Sequence, residues 1–400
     1  MKLYTWLFHH FIKYYIFLLS FLIKNIRTAL FLIIISLLFI DLVQVQLSYF
    51  EFAPLNGAIT TAQKQNFKIN EWLNGSFQEN RERYVNDNFG FRNFLVRLNN
   101  QISFNLFNKA KAAGVVIGKD FYLYEENYIK AYYGTDFIGN DSVTNRMQKL
   151  KCIQDTLNKL NKNLLLVFAA RKGSFYPEFI PDSYKTEKQI TNNEVYLALA
   201  KQLQINHIDF NTYFVEQKFK SKYPLYPQYG IHWSHYGMCI AADSIIKHIE
   251  KLRGISMCNF VWNDYELSNY ARETDYDVGN GLNLFYQLPT FEMAYPKLQF
   301  VCDSTKTKPS ALVVSDSFYW GLYNFGFANA FSQNGFWYYN QQVYPETFSC
   351  EFKTNQVNLE EQIAKYDVII IMATEATMPK LGWGFIENLY EMYYPNKKLL

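Results

Sequence analysis

The residues best placed to do chemistry fall in two short segments. The first, Val313-Val314-Ser315-Asp316-Ser317-Phe318, ends an apolar run with a polar turn. A Ser on such a turn, at the carboxyl end of a strand, presents its hydroxyl and backbone N–H to a cleft, as a nucleophile requires. Taken alone, a Ser there is more commonly a helix cap. The second segment, Tyr229-Gly230-Ile231-His232-Trp233-Ser234-His235-Tyr236-Gly237, leads into the amphipathic run MCIAADSIIKHIEKL. A His at the mouth of a helix can take a serine proton as general base, although an isolated His is more often a cap or a packed ring. His235 follows His232 at a spacing compatible with metal ligation, but no Glu or third His completes a set, so no metal is expected. His207, His248, His9 and His10 carry no further signal.

These segments need a scaffold, and the periodicity supplies one. From about residue 145 helical patterns alternate with short apolar runs: RMQKLKCIQDTLNKLN, then NLLLVFAA; NNEVYLALAKQLQ, then INHIDF; SALVVSDSF; and EEQIAKYDVIIIMATEA. Strands that are apolar throughout and separated by helices imply a mainly parallel sheet covered on both faces. Ligands bind beyond the carboxyl ends of such strands. That rule selects Arg171 and Lys172, Asp209, Ser315 to Phe318, and Thr374 and Glu375. Upstream, GVVIGKDFYLY reads as a hairpin about a Gly-Lys-Asp turn, and residues 256–308 read as loop-rich.

The amino terminus sets the compartment. TALFLIIISLLFIDLVQVQLSYF, from Thr28, supplies the ~20 apolar residues that cross a bilayer. Lys2, Lys13, Lys24 and Arg27 precede it with no acidic residue before Asp41, which places the leader in the cytoplasm and the remainder outside. No small-residue cleavage pattern follows, so an uncleaved anchor is expected. Tyr14–Ile23 is too short to span alone and reads as interfacial or as part of the leader. The expected division is therefore 1–50 leader and anchor, 51–140 linker, helices and hairpin, and 141–400 the α/β domain. With 39 basic and 36 acidic residues, a net charge of +3 gives no electrostatic case for nucleic acid. Aromatic residues reach 18%, which fits codon bias better than a sugar-binding groove, though Tyr and Trp do line such grooves. Five cysteines, none in a CxxC pair, leave at least one thiol unpaired and the connectivity open.

Together the motifs resemble the alginate O-acetyltransferases and related exopolysaccharide acetylation proteins, whose domain is SGNH-hydrolase-like. NDNFGFR (Asn86–Arg92), GVVIGKDFYLY (Gly114–Tyr124), VFAARKGSFYPEFIP (Val167–Pro181), GIHWSHYG and VVSDSF occur in the family's order, with His before Ser. The resemblance implies an α/β, three-layer SGNH-like fold with a mainly parallel sheet, preceded by one transmembrane helix in the inner membrane. It implies an O-acetyltransferase of a surface or secreted polysaccharide, working in the periplasm without a cofactor. Ser317 would be acetylated and His232 would act as base, while the Ser317 N–H and a neighbouring donor would hold the oxyanion. Lys172, Trp233 and Asp316 are the expected substrate contacts, and a membrane-bound acyltransferase the expected acetyl donor. Arg92 and Asp87 are expected to form a structural pair, and Glu375 to lie near the ligand.

One departure stands out: the family's Asp two residues before the His is Gly230 here. Asp209, Asp275 or Asp277 could replace it, a backbone carbonyl could hold the ring, or catalysis could be lost, leaving a polysaccharide-binding or scaffold protein. An acetyl esterase would use the same Ser and His.

Overall fold

The structure is a computed structural model that describes Lys13 and residues 26–57, 60–344 and 353–397. The apolar stretch at Tyr14–Ile23, His9, His10 and Cys350 lie outside the described residues. Two compact units are present: Met1–Ile102 with Asn283–Phe285, and Ser103–Leu282 with Tyr286–Leu400.

In the first unit α1 (Ile26–Leu47) is a 22-residue helix, long and apolar enough to cross a membrane. Most of its side chains, such as Ile34, Leu37 and Phe39, face no protein. Among its described side chains, the two that are buried are polar. Asp41 accepts from the Phe91 N–H at 3.2 Å, and Gln44 both donates to the Phe50 carbonyl and accepts from its N–H. Gly90 passes so close to α1 that a Cβ there would meet Gln44 Cγ at 2.9 Å. NDNFGFR is thus the loop that packs on the helix end. It sits between α2 (Ser76–Asp87) and α3 (Arg92–Phe107), and Arg92 pairs with Asp87 at 3.5 Å as expected.

The second unit is built on a six-stranded sheet of order β4-β3-β10-β7-β8-β9. Its strands are β3 (Asn163–Phe168), β4 (His207–Asp209), β7 (Ala311–Ser315), β8 (Asn334–Tyr338), β9 (Gln342–Tyr344) and β10 (Val368–Ala373). All pairings are parallel except that of β9 at the edge. Every residue of β7 and β10 is buried, as two covered faces demand. One face carries Leu164, Leu166, Ile369, Ile371, Leu312 and Val314. On it lie α5 (Asn140–Lys159), α6 (Asn192–Gln202) and α11 (Phe385–Tyr393), through residues such as Leu150, Ile153, Ala200 and Leu389. On the other side α7 (Phe210–Gln217) packs on β3, and α8 (His235–Arg253) ends with Arg253 donating to Asn163 Oδ1 at 2.9 Å. The expected hairpin is β1 (Val115–Ile117) with β2 (Leu123–Glu125), followed by α4 (Glu126–Tyr133). The short helices α9 (Phe318–Asn324) and α10 (Leu359–Lys365) follow β7 and precede β10 respectively.

One expectation needs correction. Residues 256–308 are not loop-rich: β5 (Asn259–Ser268) and β6 (Met293–Val301) form a long antiparallel hairpin with a register shift between Val261 and Asp264. Its polar, Pro-containing strands lack the apolar alternation that marks a strand, because much of the hairpin faces solvent. The aromatic segment after Ser317 likewise contains β8 and β9, whose rings hide the period of two. The base of the hairpin is fastened by a Cys258–Cys302 disulfide, while Cys152 and Cys239 are free thiols. Cross-linking residues 44 apart restricts the unfolded chain. Replacing both cysteines by Ser should lower unfolding stability by about 2–4 kcal/mol in non-reducing denaturant titrations.

Candidate active site

The sheet order brings the carboxyl ends of β3, β10 and β7 side by side. Asp316 secures the turn after β7. It is buried, and its carboxylate accepts from the Phe318 N–H (3.1 Å), the Thr374 N–H (2.9 Å), Thr374 Oγ1 (3.0 Å) and Thr377 Oγ1 (2.7 Å). Three of these donors fix the turn to the end of β10, the fourth closes the turn itself, and Ser317 is left at the mouth of α9.

The His232 segment is held as firmly. Ser234 caps α8 through the Gly237 N–H (3.0 Å) and donates to the Pro224 carbonyl (2.7 Å). Trp233 is buried among Phe210, Phe214 and Phe318. Lys172 is fully buried and donates to the carbonyls of Gln228 (2.7 Å) and Gly230 (2.6 Å). Burial pulls its ammonium down to about 7, against the opposing pull of Asp277, Glu125 and Asp275.

His232 Nε2 stands 3.0 Å from Ser317 Oγ, and Nδ1 stands 2.5 Å from Asp277 Oδ2. The other oxygen of Asp277 accepts from the N–H groups of Ile231 (2.9 Å) and Val278 (2.7 Å). An ionised Asp277 places the proton on Nδ1, leaving Nε2 to accept from the Ser317 hydroxyl, the arrangement of a serine triad. Burial pushes the His232 pKa down, but the charge and hydrogen bond of Asp277 outweigh it, so the net shift is upward.

Residues 115–275 match the family described as SGNH hydrolase-like domain, acetyltransferase AlgX. The α/β unit is SGNH-hydrolase-like. Among solved structures, the O-acetyltransferase domain of Pseudomonas putida AlgJ aligns with a TM-score of 0.45 and 15% identity, over 70% of this chain and 99% of that one. Pseudomonas aeruginosa AlgX gives 0.43 and 16%, over 68% and 67%, and Bacillus cereus PatB1 gives 0.40 and 12%, over 66% and 96%. No curated protein matches by sequence.

Within this SGNH-like domain Gly230 has a physical explanation. A Cβ there would collide with the Thr274 carbonyl oxygen and stand 2.8 Å from the Asp275 carbonyl carbon. The carboxylate on the imidazole comes instead from the one-turn helix Asp277–Gly281. Of the other acids weighed for that role, Asp209 caps α7 through the Thr212 N–H, and Asp275 is buried against His235 Nδ1 at 3.2 Å. His235 also faces Glu273 at 3.2 Å, so it belongs to a second imidazole–carboxylate cluster.

Three expected substrate contacts are corrected by burial. The Lys172 ammonium is spent on loop carbonyls, the Trp233 ring on the core, and the Asp316 carboxylate on the β7–β10 tie. Glu375 is likewise buried, paired with Arg171. A group that sequence reasoning missed is Glu125, at the end of β2, where burial and the nearby Asp277 hold its carboxyl above the usual range. Its place directly after the GKDFYLY hairpin was the available signal.

Two measurements probe this geometry. Asp277→Asn should lower hydrolysis of a small acetyl ester by about 10⁴-fold. Because the base must be neutral, activity is lost as pH falls through the His232 pKa. The acidic limb of the wild-type profile should therefore lie above 6.5, the ordinary value, and move down in Asp277→Asn. Gly230→Asp, which restores the family's residue, should reduce folded yield and activity, since its Cβ has no room.

Proposed function

We propose that this chain transfers acetyl groups to hydroxyls of a cell-surface or secreted polysaccharide through a serine acetyl-enzyme. The observation that carries the reading is the hydrogen-bonded series Ser317–His232–Asp277 at the carboxyl ends of the sheet. Ser317 Oγ attacks the carbonyl of an acetyl donor while its proton passes to His232 Nε2. The imidazolium, held by Asp277, protonates the leaving group. A sugar hydroxyl then loses its proton to His232 and attacks the acetyl carbon, and Ser317 leaves with the proton returned. The Ser317 N–H, with a neighbouring donor, stabilises each tetrahedral oxyanion.

Acetyl-CoA is a cytoplasmic metabolite, so a membrane-bound acyltransferase is the expected partner that passes acetyl groups outward. The apolar helix α1 fits an inner-membrane anchor that keeps the domain outside. The binding-only alternative was motivated by Gly230, and Asp277 now supplies the carboxylate whose loss that alternative assumed.

Acetyl content of surface polysaccharide in cells expressing wild-type or Ser317→Ala protein at matched levels tests the reading. A fall in the variant is expected. Unchanged acetylation removes Ser317 from catalysis, and a rise identifies an esterase.

A further inference from the structure

Beside Ser317 the backbone is held in a conformation that only glycine adopts freely. Tyr339 and Asn340, which follow β8, have φ of +51° and +50°. Trp383 has φ of +46° and lies between Gly382 at +77° and Gly384 at +87°, so three successive residues are left-handed. Bulky side chains avoid that region because Cβ crowds the backbone. Such conformations persist only where the surroundings enforce them, and they gather at ligand sites.

The enforcement is visible. Tyr339 donates its N–H to the Ser315 carbonyl at 2.9 Å, and Asn340 Nδ2 donates to the Trp383 carbonyl at 3.0 Å. Thr354 Oγ1 donates to the Asn340 carbonyl at 2.7 Å. The result is a bracket that stands Tyr339 edge-on to Trp383, with ring centroids 5.3 Å apart, and sets Tyr338 against Tyr339 at 4.4 Å. The three rings are partly buried, and Trp383 packs with one side against the apolar core of the sheet. The Tyr339 bond to the Ser315 carbonyl ties the bracket to the turn that carries Ser317.

We propose that Trp383 and Tyr339 form the acceptor subsite, where the C–H face of a pyranose ring of the polysaccharide stacks and brings its hydroxyl to acetyl-Ser317. The inference rests on the acetyltransferase reading. Rigid rings with a polar tip suit an amphipathic sugar, which offers a C–H face to the indole and hydroxyls to the phenol. A flexible aliphatic wall would need no such backbone.

The test uses the full chain in detergent, with cellohexaose and a mannuronate hexasaccharide as probes. Binding is titrated calorimetrically on the Ser317→Ala background, and hydrolysis of p-nitrophenyl acetate is measured on the Ser317 background. Trp383→Ala should weaken binding of at least one probe by about tenfold or more. Ester hydrolysis should fall by a smaller factor than probe binding, since acetylation of Ser317 needs no stacked sugar. Trp383→Phe should recover part of the binding. Unchanged binding in Trp383→Ala overturns the proposal, as does a wild-type site that binds neither probe. Loss of ester hydrolysis in Trp383→Phe as well as Trp383→Ala also overturns it, because the ring would then be structural. Binding is read on a protein that cannot turn over, so failure of acetyl transfer would sink the acetyltransferase reading without deciding this one.

Discussion

Asp277 holds the site together by bridging segments 45 residues apart. One of its oxygens fixes the backbone on the amino side of His232 through the Ile231 N–H, and the other fixes the ring itself. The loop and the imidazole therefore cannot move independently. Three donors converge on this one carboxylate, the Ile231 and Val278 N–H groups and the His232 ring. The close passage of Gly230 over Thr274 and Asp275 makes that reach possible, because any side chain at 230 would push the two segments apart.

The rest of the polar interior supports this contact. Lys172 donates to two carbonyls of the loop that precedes His232, where uncapped backbone acceptors would otherwise be buried. Removing its ammonium would strand those carbonyls, a larger loss than the modest net value of the bonds themselves. His235 and Asp275 repeat the imidazole–carboxylate pairing on the same two segments as His232 and Asp277. The segments are thus stitched twice, once facing Ser317 and once away from it.

Much of this was legible in the sequence. The parallel sheet announced itself in NLLLVFAA and VIIIMA because wholly buried strands are apolar throughout. The Ser317 turn and the His segment could be placed from strand-end and helix-start logic, and the structure brings Ser317 and His232 to 3.0 Å. The acid was narrowed to three candidates and no further, since a contact between a loop and a one-turn helix leaves no periodicity. The substrate contacts failed for a related reason. Position after a strand shows that a residue is near the cleft, not whether its charge points in, and Lys172 and Asp316 both turn inward to satisfy backbone donors and acceptors. The β5–β6 hairpin escaped because its strands are coded by pairing to each other and not by burial.

The tie between α1 and the loop at Gly90 has a practical side. A version trimmed after Leu47 would remove Asp41 and Gln44 and leave the Phe91 N–H and the Phe50 carbonyl without these partners. It would also uncover the rings of Phe50, Phe52 and Phe91, which pack on one another beside the helix end. The amino-terminal helix is therefore a folded part of its unit. Preparations that keep it, in detergent or lipid, retain a surface that trimming would turn into a sticky patch.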